Sequence, residues 1–325
     1  MERRIQELRW DPVLGEWVMV SSIREARPWQ PEGFCPFCPG APETGYGWDA
    51  LVLRNRYPML SDTPLEPGKH GFYRTAPSYG RCWVVVETPI HDLDDISDLP
   101  VEHIARVLNL VIDKYREEKQ DKRLVYFLFF RNKGREIGVS LTHPHSQIYV
   151  LPFVPVRVQR EIENARRYYS ESKECLFCRI LREEEGERVR IVYDSGNWVA
   201  FVPFYAHWPF EVHIYPRRHV GELTDLTGDE VVALAHVLKT VLCGLNRVLG
   251  KPMPYTMVLH QNPMHTRYPF YHLHIEIYGM YRTTGKLKYA AGMETGGGNF
   301  TYDSTPEYVA ELLRKAIREN KCGHT

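Results

Sequence analysis

Two histidines and a glutamine, His143, His145 and Gln147, occupy alternate positions of one short segment. Successive side chains of a β-strand point to opposite faces, so on a strand these three would share a face. Imidazole serves as a nucleophile, a proton carrier or a metal ligand. An amide binds through hydrogen bonds but cannot transfer a proton. The spacing therefore predicts one site that holds two imidazoles and an amide.

A glycine-bearing loop leads into this segment. Gly134 and Gly138 follow Asn132, and Ser140 lies just before the first histidine. Glycines let backbone N–H groups approach a phosphate closely, and the serine adds a hydroxyl donor. We therefore expect a phosphate-binding loop beside the two imidazoles. The alternative is a pair of histidines that only pack within a strand.

Four of the seven cysteines form two Cys-x-x-Cys pairs, at 35 and 38 and at 175 and 178. In a large intracellular chain, such pairs indicate metal ligation or redox chemistry before a disulfide framework. Two thiolates and two imidazoles suit tetrahedral zinc, whereas the alternative is a pair of free thiols. The first predicted zinc site comprises Cys35, Cys38, His91 and His143.

The composition limits the classes of protein. The 325 residues suffice for two ordinary domains or one large one, and 43% of them are hydrophobic. Lys+Arg and Asp+Glu both number 41, and this balance argues against a generic nucleic-acid binder. The charged start has no apolar core of a signal peptide, and no apolar run approaches the ~18 residues of a membrane helix. We expect a soluble, cytoplasmic protein without a nucleic-acid or membrane partner.

The elements that would position these residues alternate between strands and helices. An apolar stripe over 231–248 follows a capping box of Thr227 and Glu230, and another helix begins near Thr305 and Pro306 and ends near 320. Helical periodicity also predicts a helix near 101–120, and a second helix is expected near 156–171. Runs rich in β-branched and aromatic residues predict strands at 83–87, 125–130, 146–153, 188–193, 198–204, 210–215, 255–260 and 272–278.

The two halves of the chain resemble each other. Both Cys-x-x-Cys pairs are followed by a histidine, then by Ser-Asp-Leu or Thr-Asp-Leu before a long helix, and then by a His-x-His strand. After the cysteines, the offset between equivalents stays at 127 to 129 positions. A duplicated α+β unit explains this order better than coincidence does. The symmetry predicts a second metal site at Cys175, Cys178, His219 and His272.

The segment from Asn132 to Gln147 resembles the signature of the galactose-1-phosphate uridylyltransferases of the histidine-triad superfamily. The similarity extends over nearly the whole chain, through 11–29, 198–203, 208–211 and 288–294. The resemblance implies an α+β fold of two histidine-triad-like halves, each an antiparallel sheet with helices. We place their boundary between 1–165 and 166–325.

This resemblance implies an activity and a nucleophile. The activity is UMP transfer between UDP-glucose and galactose 1-phosphate, giving UDP-galactose and glucose 1-phosphate, through a uridylyl-histidine on His145. Gln147 would bind a nonbridging phosphate oxygen, with Ser140 nearby. Histidine-triad hydrolases commonly have histidine at the position of Gln147, and an amide there favours transfer over hydrolysis.

The resemblance also supplies substrate and metal residues. Arg24, Arg27 and the segment from Lys288 reach the neighbouring subunit's pocket in the family, which implies a homodimer with shared active sites. A further metal site, for a second zinc or iron, would use Glu161, His260, His274 and Glu276, although the family has histidine at the last position. Ordinary hydrogen-bonded histidines are the alternative there. The implied substrate-binding residues are Arg24, Arg27, Asn55, Asn132, Gly138, Ser140, Gln147, Lys288, Tyr289, Met293 and Glu294.

Two other functions fit the same motifs. Arg56 stands beside Asn55 where bacterial members of the family have aspartate, which keeps an ADP-sugar or dinucleotide phosphorylase of the superfamily open. A non-catalytic, zinc-containing nucleotide-binding protein would need no nucleophile.

Overall fold

A nine-stranded antiparallel sheet forms the centre of the computed structural model, which describes residues 4–23 and 34–323. Its strands are β3 (Leu51–Arg54), β5 (Arg81–Val86), β6 (Tyr126–Lys133), β7 (His145–Leu151), β8 (Ile191–Asp194), β9 (Trp198–Phe201), β10 (Val212–Pro216), β11 (Tyr255–His260) and β12 (His274–Gly279). Their order across the sheet is β3-β5-β7-β6-β11-β12-β10-β9-β8.

The repeat in the sequence appears as a repeat in this sheet. One half contributes β3-β5-β7-β6, and the other contributes β9-β10-β12-β11 in mirrored order, with β8 added at the edge. The inner strands β6 and β11 pair from Lys133 opposite Tyr255 to Phe129 opposite Leu259. The expected α+β class with two antiparallel halves is therefore confirmed, and the halves share one continuous sheet.

Helices cover both faces of the sheet. They are α1 (Val101–Glu118), α2 (Val156–Ser172), α3 (Leu176–Glu187), α4 (Gly228–Arg247) and α5 (Pro306–Glu319). The larger core lies between the sheet and α1, α4 and α5, and the second core lies between the other face and α2 and α3. The capping box of α4 forms as expected, with Thr227 accepting from the backbone of Glu230.

Strand alternation assigns the residues around His145 to these two faces. Ile148 and Val150 belong to the core under α1 and α4, and Ser146 shares their face because the side-chain period is two. His145 and Gln147 therefore point to the opposite face, where Val84 and Val86 of β5 pack against Phe37.

Two smaller sheets lie outside this frame. One contains β1 (Gln6–Asp11), β2 (Glu16–Ser21) and β4 (Thr75–Pro77), and the other is the hairpin of β13 (Tyr281–Thr283) and β14 (Lys286–Leu287). No helix within the described residues has the length and apolar character that a membrane crossing needs. Arg24 and Arg27 lie outside the described residues.

A disulfide joins Cys243 of α4 to Cys322, just after α5. No disulfide was predicted for these two cysteines, which lie outside the Cys-x-x-Cys pairs. The two bonded residues are 79 positions apart and have no local motif, so only the packing of α5 onto α4 brings them together.

Candidate active site and metal centres

His145 begins β7 and has a defined tautomer. Its Nδ1 lies 2.8 Å from the carbonyl oxygen of His143. A carbonyl only accepts hydrogen bonds, so Nδ1 carries the proton and Nε2 holds the lone pair. The ring also packs against Phe37, with centroids 5.3 Å apart. This tautomer leaves the lone pair on Nε2, which is what a nucleophilic imidazole requires.

A cavity of about 340 Å³ opens in front of this histidine. Its lining combines aromatic rings and aliphatic side chains with guanidinium, amide and hydroxyl groups. That combination suits a ligand that carries both a flat ring and charged groups. The lining residues are Phe34, Pro36, Phe37, Glu43, Arg54, Asn55, Arg56, Tyr57, Val84, Ser140, Leu141, His145 and Gln147.

Four residues expected at the site from the sequence line this cavity together: His145, Gln147, Ser140 and Asn55. The side-chain oxygen of Asn55 accepts a hydrogen bond from the backbone N–H of Tyr57 at 2.9 Å, so the N–H₂ group of Asn55 points away from Tyr57. Phe37 was not predicted at the site, although its position between Cys35 and Cys38 could have indicated it. Arg54 and Tyr57 were also missed, and they had no signal beyond adjacency to Asn55.

The other expected substrate residues that lie within the described part of the chain do not line the cavity. Asn132 lies on β6 and accepts from the hydroxyl of Thr256, and Gly138 ends a 3-10 turn at a φ of +81°. Lys288 and Glu294 form a buried ion pair at 2.9 Å. Tyr289 and Met293 are exposed. Within one chain, these groups lie outside the His145 cavity.

The first cysteine–histidine cluster has the spacing of a tetrahedral site. Cys38 Sγ lies 3.3 Å from His91 Nδ1 and 3.7 Å from His143 Nδ1, and the two nitrogens are 3.3 Å apart. In a tetrahedral zinc site, bonds of about 2.3 Å to sulfur and about 2.0 Å to nitrogen place two ligand nitrogens, or a sulfur and a nitrogen, about 3.3–3.6 Å apart. His143 Nε2 donates to the carbonyl of Thr88 at 2.7 Å, which leaves Nδ1 unprotonated for a metal. Burial lowers the pKa of His143, which also favours the neutral ligand. These residues fit a metal ion.

The second cluster repeats this arrangement in the other half. Cys178 Sγ lies 3.4 Å from Nδ1 of His219 and 3.4 Å from Nδ1 of His272. Hydrogen bonding with Cys175, then with the two histidines, lowers the pKa of Cys178 and favours a thiolate. The ligand atoms of all four residues lie within 4.8 Å of one another. The symmetry-derived set is therefore assembled in space.

The third cluster, Glu161, His260, His274 and Glu276, lies among buried side chains between β11, β12 and α2. Its nitrogen–oxygen separations run from 3.2 to 3.9 Å, which suits a shared metal ion. His274 Nδ1 lies 2.8 Å from the carbonyl of His272. His145 Nδ1 makes the equivalent contact with the carbonyl of His143 in the first half. Burial lowers the pKa of His274 to about 4.

Sequence reasoning missed two groups beside this cluster. Arg157 lies 3.0 Å from Glu276, and His213 Nε2 lies 3.4 Å from the same carboxylate. Burial opposes ionisation of Glu276, but His213, His260 and Arg157 together lower its pKa. The glutamate is therefore held as a carboxylate, available as a ligand.

Comparison with known proteins gives a consistent family. The family model of the galactose-1-phosphate uridyl transferase N-terminal domain matches residues 1–155, and that of the C-terminal domain matches 161–322. A galactose-1-phosphate uridylyltransferase from Thermotoga maritima is 37% identical over 316 residues, covering 96% of this chain and 98% of the relative.

Two solved structures extend the comparison. A uridylyltransferase superposes with a TM-score of 0.91 at 54% identity, covering 97% of this chain and 99% of its own. An ADP-glucose phosphorylase from Arabidopsis thaliana with bound ADP-glucose superposes with a TM-score of 0.74 at 28% identity, covering 95% of this chain and 98% of its own.

Proposed function

We propose that this chain, which belongs to the galactose-1-phosphate uridylyltransferase family, transfers UMP between UDP-glucose and galactose 1-phosphate. The observation that carries the proposal is the paired arrangement of His145 and Gln147 on one wall of the cavity. The defined tautomer of His145 supports a nucleophilic role, because Nε2 is the nitrogen that holds the lone pair.

The reaction is a double displacement. His145 Nε2 attacks the α-phosphorus of UDP-glucose, an N–P bond forms, and the bond to the bridging oxygen breaks to release glucose 1-phosphate. A phosphate oxygen of galactose 1-phosphate then attacks the uridylyl-histidine, and the N–P bond breaks to give UDP-galactose. Gln147 donates its amide N–H to a nonbridging oxygen and cannot activate water as a base. Ser140 and the glycine loop supply further donors to the phosphates.

The metal centres have an anchoring role in this proposal. Zinc at Cys35, Cys38, His91 and His143 would supply a rigid cross-link that fixes the start of the His145 strand. The repeated set at Cys175, Cys178, His219 and His272 would take a second zinc. Glu161, His260, His274 and Glu276 would take zinc or iron, which mixed imidazole and carboxylate ligands accept.

A homodimer would complete the active site. Lys288, Tyr289, Met293 and Glu294 lie outside the His145 cavity of their own chain, and two of them expose large apolar side chains. In the proposal they reach the sugar phosphate in the neighbouring chain's cavity, together with Arg24 and Arg27. Cytoplasmic galactose metabolism would be the setting.

A second candidate is an ADP-sugar phosphorylase, in which phosphate accepts the nucleotidyl group. Arg56 stands at a position where bacterial members of the family have aspartate. It lines the cavity beside Asn55 and lies 3.5 Å from Glu43. The superposition on an ADP-glucose phosphorylase also favours keeping this candidate.

One experiment separates the candidates. Purified protein and its His145→Ala variant are each incubated with UDP-glucose or ADP-glucose, and glucose 1-phosphate and the intact protein mass are measured. We expect glucose 1-phosphate and a UMP adduct from UDP-glucose in the wild type only. An AMP adduct instead would favour the phosphorylase, and no adduct with either sugar would favour a non-catalytic nucleotide-binding protein.

A further inference from the structure

The two residues that follow β5, Glu87 and Thr88, make three hydrogen bonds to the segment around the nucleophile. The ring Nε2 of His143 donates to the carbonyl of Thr88 at 2.7 Å. The backbone N–H of Glu87 donates to the carbonyl of Pro144 at 3.1 Å. The hydroxyl of Ser146 donates to the Glu87 carboxylate at 2.6 Å. His145 lies between the last two contacts, so Glu87 holds the chain on both sides of it.

Glu87 is itself immobilised from behind the sheet. Its side chain is buried, and Arg131 of β6 donates its Nε–H to both carboxylate oxygens at 3.0 and 3.1 Å. Arg131 is held in turn by Asp95 at 3.1 Å and by the hydroxyl of Tyr255 at 2.6 Å. Each member of this buried network is paired, so the network is rigid.

This network lies on the opposite face of the sheet from the cavity. Ser146 and Glu87 are not among the cavity-lining residues, whereas His145 and Gln147 are. A change in Ser146 therefore alters the support of His145 without removing any group that faces the substrate.

We propose that Glu87 is a positioning residue, which aims His145 Nε2 at phosphorus through its bonds to Ser146 and Pro144. The inference rests on the proposed nucleotidyl transfer. Attack at phosphorus requires an aligned approach, and a displacement of about 1 Å can cost roughly a hundredfold in rate. The bond from His145 Nδ1 to the His143 carbonyl lies within the same short backbone segment, so loosening that segment also weakens control of the tautomer.

Ser146→Ala tests this inference because it removes one hydroxyl and leaves Glu87 paired with Arg131. We expect the single-turnover rate of adduct formation at saturating UDP-glucose to fall roughly tenfold or more, while the dissociation constant changes less than about threefold. Ser78→Ala is the matched control. It deletes a buried serine hydroxyl that donates to the carbonyl of Met59, outside this network, and its rate should stay within about twofold of wild type.

A second measurement does not depend on activity. In ¹⁵N-histidine-labelled protein, with the His145 signals assigned by their loss in His145→Ala, the wild type should show protonated Nδ1. Ser146→Ala should show a mixture of both tautomers. If the wild type transfers UMP, an unchanged rate in Ser146→Ala overturns the inference. If the wild type forms no adduct with either sugar nucleotide, the proposed function fails, and an unchanged His145 spectrum in Ser146→Ala then overturns the inference by itself.

Discussion

Gln147 and Glu276 occupy equivalent positions in the two halves of the sheet. Gln147 of β7 lies opposite Val84 of β5, and Glu276 of β12 lies opposite His213 of β10. Gln147 lines the cavity beside His145, whereas Glu276 is buried, with His213 3.4 Å away. One half thus presents an open cavity and the other a closed, charged cluster.

The first prediction concerns the charge at position 147. Gln147→Glu keeps the shape of the side chain but exchanges an N–H donor for a negative oxygen beside the phosphates. At the equivalent position of the other half, the negative charge of Glu276 is stabilised by contacts with Arg157 and His213. We expect adduct formation from UDP-glucose to slow by roughly ten- to hundredfold, the equivalent of about 1.5–3 kcal/mol. A variant with the wild-type rate would contradict the assigned role of Gln147.

The second prediction concerns the two cysteine–histidine clusters. Elemental analysis of purified protein should find zinc, and Cys35→Ser and Cys175→Ser should each lose about one equivalent because each removes one thiolate ligand. Cys82→Ala is the matched control, since Cys82 is a buried cysteine outside the three clusters. Zinc content unchanged in either serine variant would refute that site.

The sequence predicted the centre of the fold better than its margins. Tyr255–His260 was placed at its exact bounds, and α1 and α2 were placed within two residues, because continuous apolar periodicity marks elements packed on the core. The strands of the small sheet, β1 and β2, were missed. Their residues are mostly half-buried, so no alternation of apolar and polar residues marks them.

The helix α3 was missed for a different reason. It begins directly after Cys175, and the pair of Cys175 and Cys178 was interpreted only as metal ligands. Its buried residues are Phe177, Leu181 and Glu184. Because the third of these is a charged residue, the helix shows no regular apolar spacing in the sequence. The boundary expected after residue 165 remains a prediction, and it falls within α2.

Within the candidate site, motif residues were predictable and their supporting residues were not. His145, Gln147 and Ser140 belong to one continuous segment. Glu87 and Arg131 support that segment from elsewhere in the sheet. They pair because of the order of the strands, which the sequence motifs do not reveal.

The third prediction concerns the disulfide between Cys243 and Cys322. A cross-link across 79 positions restricts the unfolded chain, and such bonds contribute about 2–4 kcal/mol. Cys243→Ser/Cys322→Ser should therefore lower Tm by roughly 3–8 °C. A reductant should shift the wild type in the same direction and leave the double variant unchanged. Equal Tm values for the wild type with and without reductant would contradict a stabilising bond.

The fourth prediction concerns Glu230, which closes the capping box of α4. Hydrogen bonds from Arg218 lower the pKa of Glu230 to about 2. Since this folded pKa lies below the ordinary value of 4.5, its stabilisation is present above pH ~4.5 and is lost as the pH falls towards 2. Glu230→Gln should lower the free energy of unfolding by about 1 kcal/mol at pH 7 and by almost nothing near pH 2.

The control for this prediction is Glu311→Gln, which makes the same chemical change at an exposed position of α5. Denaturant unfolding at pH 7, 4 and 2.5 measures all three proteins. A Glu230→Gln deficit that stays constant across this range would show that the carboxylate charge is not the stabilising feature.

The last prediction concerns subunit sharing of the active site. His145→Ala should be inactive because it lacks the nucleophile, and Arg24→Ala should be nearly inactive because one lost phosphate contact costs about 1.5–3 kcal/mol. In a mixed dimer, the His145 of one chain meets the intact Arg24 of the other, so one of two pockets is complete. Random exchange should restore about a quarter of wild-type activity.

The matched control mixes His145→Ala with Asn55→Ala. Both of these residues line the same cavity of one chain, so no mixed dimer contains an intact pocket. Activity should be measured after subunit exchange has been verified by native mass spectrometry with one isotope-labelled variant. Recovery in the first mixture and not in the second supports a shared site. No recovery in the first mixture would mean that Arg24 serves the cavity of its own chain.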